Sequence, residues 1–352
     1  MQNTIKKHGS LKAYNTFNID CYASHLMHIS DSEQLPELIS LIQQQFPRPL
    51  ILGEGSNILL TQDIQGLVVK NELTGKFITQ ENQDHIWLTI SSGESWHELV
   101  MYCNTLGYHG IENLALIPGT VGAAPVQNIG AYGTELSDVF DSLRAIQLTT
   151  GEILHFSHAD CQFDYRHSLF KTAEHKGRYY ITDITLKLSK KPCFNLSYHS
   201  LQKALAHTPV NTLTQQDISN AVMHIRKTLL PNPDSIPNAG SFFKNPIISR
   251  QALSDIQQKH PHISFHTLTD TEVKLSAAWL IDHLNYKGHI LNGAGVYPQH
   301  ALVLINHDQC SGEDIQHLAN TIIQDVKDTF AVTLEPEVSI ISNQYDSIQD
   351  TA

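Results

Sequence analysis

Leu116-Ile-Pro-Gly-Thr-Val-Gly-Ala-Ala-Pro-Val-Gln-Asn-Ile-Gly-Ala-Tyr-Gly-Thr-Glu135 carries four glycines, two prolines and a single charge. It is too apolar for a solvated linker and too rich in glycine for a helix or a regular strand. Glycine permits positive φ and a close approach of the backbone to another group. Successive N–H groups presented in this way form a concavity that holds an anion such as a pyrophosphate. A buried turn would account for one Gly-x-Gly, but not for so long a run.

Upstream of it, Arg48-Pro-Leu-Ile-Leu-Gly53 reads as a short buried strand and Glu54-Gly-Ser-Asn57 as the turn that follows. Gly53-x-Gly55 lacks the third glycine of the dinucleotide fingerprint, and Ile58-Leu-Leu60 continues as apolar strand, so a Rossmann unit is poorly supported. Asp31 and Ser32 open a helix to about Gln45, with Pro36 in its first turn, where its missing N–H costs little. Thr16–Asp20 reads as a short extended piece and Gly66–Lys70 as a strand.

After residue 72 strands come more often. Ile86–Ser91 is a strand, and Ser95-x-x-Glu98 opens a helix that Gly107 ends. Downstream of the glycine run, Leu143–Leu148 and Ile153–Phe156 flank Thr149-Thr-Gly-Glu152 as a β-hairpin, and Tyr179–Leu188 is a further strand. Residues 190–215 are polar and irregular. A helix over 216–226 ends at the hinge Pro231-Asn-Pro-Asp-Ser-Ile-Pro237. The last third predicts helices over 249–259 and 273–285, a strand Ala301–Ile305, a helix from Ser311-x-x-Asp314 to Phe330, and a final strand from Leu334 to Ile340. The class is α+β, with boundaries near 72 and 220 giving segments 1–72, 73–219 and 220–352.

The chain has 352 residues, 41% apolar and 16% charged, the composition of an ordinary globular protein. Its net charge of −12 argues against nucleic acid or an anionic membrane as the main partner. Five scattered cysteines form no C-x-x-C pair, which implies a reducing compartment without a disulfide or zinc framework. No apolar run follows Met1, and no window approaches the ~20 residues of a membrane span, so a cytoplasmic location is expected. The 21 histidines are diffuse; His155-x-x-His158 and His260-x-His262 lack a companion carboxylate or Cys at ligand spacing, and no metal site is expected.

The run Pro118–Gly133 resembles the flavin loop of the UDP-N-acetylenolpyruvoylglucosamine reductase family, and further motifs between residues 53 and 338 follow in that family's order. The resemblance implies a FAD-binding fold of the vanillyl-alcohol-oxidase/PCMH type in two α/β subdomains, 1–72 and 73–219, with a C-terminal substrate domain, 220–352. It implies non-covalent FAD, NADPH as co-substrate and a UDP-sugar substrate. The cofactor would be met by Gly53, Gly55, Ser56 and Asn57, and by Pro118, Gly119, Thr120, Gly122, Gln127, Asn128, Gly130, Ala131, Tyr132 and Gly133.

Tyr165-Arg166, in Phe-Asp-Tyr-Arg-His-Ser-Leu-Phe, matches the family's catalytic arginine motif. A guanidinium suits it, since its fixed fork pairs with a carboxylate and never loses its proton. Ser241, in Gly-Ser-Phe-Phe-Lys-Asn-Pro, takes the family's proton-donor place; no G-x-S-x-G elbow surrounds it. Glu337, in Leu334-Glu-Pro-Glu-Val338, is chosen over Glu335 as the active-site acid. Tyr165, Tyr198 and Asn245 match substrate contacts, Tyr198 being the mark of the family's longer subtype. The family's Arg-x-x-Lys-x-Pro becomes Arg226-Lys-Thr-Leu229-Leu-Pro231, which leaves Lys227 as the nearby ammonium. The alternatives are a FAD-dependent alcohol oxidase or dehydrogenase of the same fold, and a non-catalytic flavin or UDP-sugar binder. Oligomeric state is not given by the sequence, and a monomer is compatible with it.

Overall fold

Strand-forming β-branched and aromatic residues in His85–Ser91, Phe140–Gln147 and Tyr179–Ser189 build the centre of a five-stranded antiparallel sheet. Ile153–Ser157 and Lys76–Glu81 are its edges. The computed structural model describes residues 5–342. The hairpin read from Thr149–Glu152 is present, with Ile146 opposite Ile153 and Gly151 at φ 78°.

The helix Trp96–Leu106 starts and stops where its caps require. Ser95 accepts from the Glu98 amide, and Gly107 ends the helix in the left-handed conformation at φ 73°. It buries Trp96, Leu99, Val100 and Cys103 in one core with Ile86, Leu88 and Ile90 of the sheet; each large side chain so covered stabilises by roughly 1.5–3 kcal/mol. Val121, Ala124 and Leu136 join that core, so the glycine run is part of the interior.

A second sheet in the same unit takes the order Lys6–Ser10, Tyr22–Ile29, Ile64–Asn71, Leu50–Leu52. Ile64–Asn71 lies parallel to both Tyr22–Ile29 and Leu50–Leu52. Helix Leu35–Gln44, preceded by a 3-10 turn capped by Asp31, packs its Leu38, Ile39 and Ile42 into this sheet's core.

The described chain sorts into two compact units, and neither is continuous. One comprises residues up to Gly9, Tyr22–Gly55 and Ile64–Thr228; the other comprises Ser10–Cys21, Ser56–Asp63 and residues from Leu229 on. Within the second, Asn238–Ser241, Val303–Asn306, Ala294–Val296 and Ile290–Leu291 form an antiparallel sheet. Ile247–Ser249, Glu272–Leu275 and Phe265–Thr267 form another. Helix Gly312–Phe330 carries the predicted capping box between Ser311 and Asp314. Its first residue must be glycine, because a Cβ there would lie 1.9 Å from the Leu60 carbonyl oxygen. Ser339–Ile341 pairs in parallel with Ile58–Leu60, and the Asn306 amide donates to the Phe17 carbonyl at 2.9 Å.

Four expectations are corrected. The glycine run is not wholly irregular: Val121–Gln127 is a 3-10 helix with Pro125 inside it, closed by Asn128 at φ 45°. Residues 272–275 are strand, and the helix expected over 273–285 spans only Ala277–His283, because Ser276 caps it by accepting from the Trp279 amide. The last strand begins at Ser339, not Leu334; Pro336 has no N–H to extend a ladder. Thr16–Asp20 is a turn, with Asn18 at φ 55°.

Candidate active site

In the first unit the two glycine-rich turns touch. Gly53 lies so close to Thr120 that a Cβ on it would sit 2.4 Å from Oγ1, and one on Gly122 would sit 2.5 Å from the Ser92 Cβ. Gly55 and Gly119 stand at φ 66° and 117°, conformations that favour glycine. Glu54 accepts from the Gly119 amide at 2.8 Å, and the Lys70 ammonium donates to the Gly53 carbonyl at 2.6 Å. Main-chain bonds from Val121 to the Glu94 carbonyl and from Gly122 to the Ser92 carbonyl fix the loop to the sheet edge. Ser92 is itself held by the Asn71 amide.

Arg166 is half-buried and strained, at φ 53°. One Nη donates to the Gly130 carbonyl at 2.6 Å, the other lies 3.5 Å from Glu135, and the guanidinium sits 5.2 Å from the Tyr165 ring. Gly130 tolerates no side chain there, since a Cβ would come within 2.8 Å of the Arg166 Nη1. Asn128, 1% exposed, is an internal brace: its amide donates to Glu135 and to the Asp164 carbonyl, and its oxygen accepts from Ser137. The loop thus places a guanidinium on its own carbonyls.

Residues 190–215 include a helix, His199–Leu205, and fold onto the turn 130–135. Asn195 donates to the Gly133 carbonyl at 2.6 Å, and Asn113 donates to the carbonyls of Tyr132 and Asn195. Tyr198 is 49% exposed and meets Tyr132 edge-on at 5.3 Å between ring centres. Tyr132 stands at φ 50°, and burial raises its pKa, with Arg226 opposing and Tyr198 adding to the shift.

Arg226 was quoted with its motif but not singled out as a site residue. It lies on helix Gln215–Leu229, and its Nε donates to the Leu116 carbonyl at 3.2 Å. Among the described residues it forms no ion pair with a carboxylate, and burial lowers its pKa. This partly buried guanidinium lies beside the glycine run, and the Arg-x-x-x-x-Pro spacing is the signal for it. Lys227 is exposed and Leu229 is 43% exposed. Glu112 was also missed. It is 2% exposed and accepts from the Gly110 amide, its pKa is raised first by burial, and its Oε1 has no hydrogen-bond partner among the described residues, with the His109 ring nitrogen 3.9 Å away.

In the second unit, Ser241 ends the strand Asn238–Ser241 opposite Val303. Its neighbours Phe242 and Phe243 are 0% and 1% exposed, so two aromatic anchors fix the serine while its hydroxyl makes no hydrogen bond among the described residues. Glu337 runs alongside: its amide donates to the Phe242 carbonyl at 2.7 Å. Glu335 is tied to Lys244 at 3.1 Å through its carboxylate and at 2.9 Å through its carbonyl, which leaves Glu337 as the acid next to the serine segment. Asn57 donates to the Glu337 carbonyl and accepts, through its own carbonyl, from Ser339. Ser56 and Asn57 therefore belong to this unit, whereas Gly53 and Gly55 belong to the first. The Asn245 side-chain oxygen Oδ1 accepts from the amide of Ala277, the first residue of its helix, at 2.9 Å.

Two family models match the chain: an FAD binding domain over residues 23–157, and the UDP-N-acetylenolpyruvoylglucosamine reductase C-terminal domain over residues 232–341. The UDP-N-acetylenolpyruvoylglucosamine reductase of Amoebophilus asiaticus is 44% identical over 331 residues, covering 94% of this chain and 97% of the relative. That of Shewanella sediminis is 44% identical, covering 96% of each. That of Flavobacterium johnsoniae is 40% identical, covering 96% and 99%. Among solved structures, the crystal structure of the Thermus caldophilus UDP-N-acetylenolpyruvylglucosamine reductase covers 96% of this chain and 99% of its own. Its TM-score is 0.66 at 20% identity, a likeness of fold.

Proposed function

The chain belongs to the UDP-N-acetylenolpyruvoylglucosamine reductase family, and on that premise we propose how its own residues carry the reaction. It is an FAD-containing, NADPH-dependent oxidoreductase that converts UDP-N-acetylenolpyruvoylglucosamine to UDP-N-acetylmuramate in peptidoglycan precursor synthesis. Its fold is the FAD-binding fold of the vanillyl-alcohol-oxidase/PCMH type followed by a C-terminal α+β domain. The observation that carries this reading is 44% identity sustained over 94% of the chain.

The turns at 53–55 and 118–122 fit FAD. Gly55 and Gly119 take positive φ, Gly53 and Gly122 leave no room for a Cβ beside Thr120 and Ser92, and glycine turns of this kind suit the close approach of a pyrophosphate. Gly53, Gly55, Gly119, Thr120 and Gly122 would hold it non-covalently. When bound, FAD would supply the hydride-transfer chemistry that links NADPH to the enolpyruvyl double bond. The remaining work is electrostatic and positional.

In this reading Arg166 pairs with the enolpyruvyl carboxylate. Its fork is held in place by the Gly130 carbonyl and Glu135, so charge developing on that carboxylate meets a donor already in position. Ser241, whose hydroxyl makes no hydrogen bond among the described residues, delivers the proton to carbon as a general acid. Glu337 supports the enolate as a hydrogen-bonding partner. Tyr198 covers the UDP-sugar, as in the longer subtype, with Tyr165 and Asn245 as further contacts. Lys227, together with Arg226, supplies the positive charge that Leu229 does not. The five free thiols, four of them buried, support work in a reducing cytoplasm, and the segments 1–72, 73–219 and 220–352 remain our proposed domain boundaries.

The direct test is an absorbance spectrum of purified protein. A flavin spectrum bleached by NADPH and restored by the enolpyruvyl substrate is expected; a colourless protein, or bleaching that the substrate never reverses, defeats the reading. Acid precipitation should leave the yellow chromophore in the supernatant.

A further inference from the structure

We propose that Lys70 and Glu54 are positioning residues that lock the two glycine-rich turns into one cradle for a dinucleotide. The proposal rests on the FAD reading above and adds two side chains that no motif singles out.

Lys70 lies on Ile64–Asn71 directly beside Leu52, one residue before Gly53. Its ammonium therefore reaches past the end of the neighbouring strand onto the Gly53 carbonyl, at 2.6 Å. In a trans peptide the N–H points opposite to the carbonyl. Holding that carbonyl toward Lys70 turns the following N–H to the other side, so a side chain remote in sequence sets the direction of a donor in the turn. Glu54 completes the lock by accepting from Gly119 at 2.8 Å, while Thr120 Oγ1 closes on the bare Cα of Gly53. Residues 53–54 and 119–120 are thus held at an ammonium, a carboxylate and a hydroxyl.

The charges explain why the pair occurs together. A carboxylate on the rim of a phosphate site repels its ligand, and this chain is already at −12. An ammonium close by offsets Glu54 without giving up its hold on Gly119. Burial lowers the pKa of Lys70, and Glu72 and Glu54 oppose that shift.

The test measures release of fluorescent FAD from serially diluted holoenzyme, for wild type, Lys70→Met, Glu54→Ala and the double variant. Each single variant should loosen FAD by roughly ten- to a hundredfold, the scale of a lost charge-assisted hydrogen bond. Lys70→Met should cost several-fold less in the Glu54→Ala background, because no carboxylate is then left uncompensated. A lysine that merely packs would weaken binding equally in both backgrounds, and that result overturns the pairing. Glu54 is exposed, so if Lys70→Met fails to fold, Glu54→Ala decides alone: unchanged affinity there overturns the lock. A wild-type protein that holds no FAD overturns the cofactor reading as well, whereas tight wild-type binding with unaffected variants overturns only the lock.

Discussion

In the glycine run of the first unit it is the main chain that is held: the amides of Gly119, Val121, Gly122 and Ala123 each have a fixed acceptor. In the block Gly240–Pro246 of the second unit it is a side chain that is held. Phe242 and Phe243 are sunk in the core, and the serine before them ends a strand that is irregular at Gly240, φ 71°, its hydroxyl making no hydrogen bond among the described residues. The first arrangement excludes side chains so that the turns pack on one another through main-chain bonds; the second uses large side chains to present one small one. Substitution should therefore damage assembly of the first region and a single chemical step in the second.

The largest effect is expected at Ser241. Ser241→Ala should leave flavin reduction by NADPH fast and slow reoxidation by the enolpyruvyl substrate by roughly two or more orders of magnitude, the scale of a lost general acid. Ser241→Cys, which keeps a proton to give, should fall between. Stopped-flow absorbance separates the half-reactions, and equal slowing of both would make the serine structural.

Gly122→Ala should act in the opposite way. Its Cβ would meet the buried Ser92 Cβ at 2.5 Å, and such overpacking costs about 1–3 kcal/mol. A lower melting temperature and lost FAD should appear together, with both half-reactions affected alike in whatever holoenzyme survives. A melting point equal to wild type would show that the loop yields, and the contrast between the two regions would weaken.

A smaller effect is expected at Lys227. Lys227→Ala should raise the KM for the sugar nucleotide several-fold, on the order of an exposed ion pair, and leave NADPH oxidation alone. Arg226→Ala should raise it further, because that guanidinium is less exposed than Lys227 and is held at the Leu116 carbonyl. Equal KM values for both variants and wild type would place the diphosphate contact elsewhere.

The smallest effect is a pH dependence at Glu112. Burial raises its pKa in the folded chain, so its contribution is fully present below the ordinary carboxylate range and is lost as pH rises through the folded value. Glu112→Gln, which keeps an oxygen for the Gly110 amide, should melt about 2 °C higher than the parent at neutral pH and show no gain in acid. Parallel melting curves across that range would refute the assignment.

The same contrast governs what could be read from the amino acids. Glycine at 119, 122, 130 and 133 is visible because backbone geometry demands a residue type, and the loop could be located before anything else. Ser241 and Glu337 are ordinary residue types, legible only through resemblance to a family. The Ser95, Gly107 and Ser311 caps were readable because each satisfies helix-end groups locally. The helix expected over 273–285 failed because Val273, Leu275, Leu280 and Ile281 suit either period. Only pairing of Glu272–Leu275 with strands on both sides decides for the sheet. Lys70 and Glu54 left no trace in spacing, since their partners are a carbonyl and an amide brought to them by tertiary structure.

The interleaving of the two units sets a timetable for synthesis. The Asn57 amide reaches its partner at Glu337 across 280 residues, and the Phe17 carbonyl waits 289 residues for Asn306. At bacterial elongation rates that interval is roughly 15–60 s. During it the segments Ser10–Cys21 and Ser56–Asp63 are already outside the ribosome while the strands and helix they belong with are still unmade. A fragment begun at Leu229 would never acquire them, and its final strand Ser339–Ile341 would be left without Ile58–Leu60. The second unit is thus completed only when the chain is nearly finished, and its earliest pieces are the ones a nascent-chain chaperone would meet first.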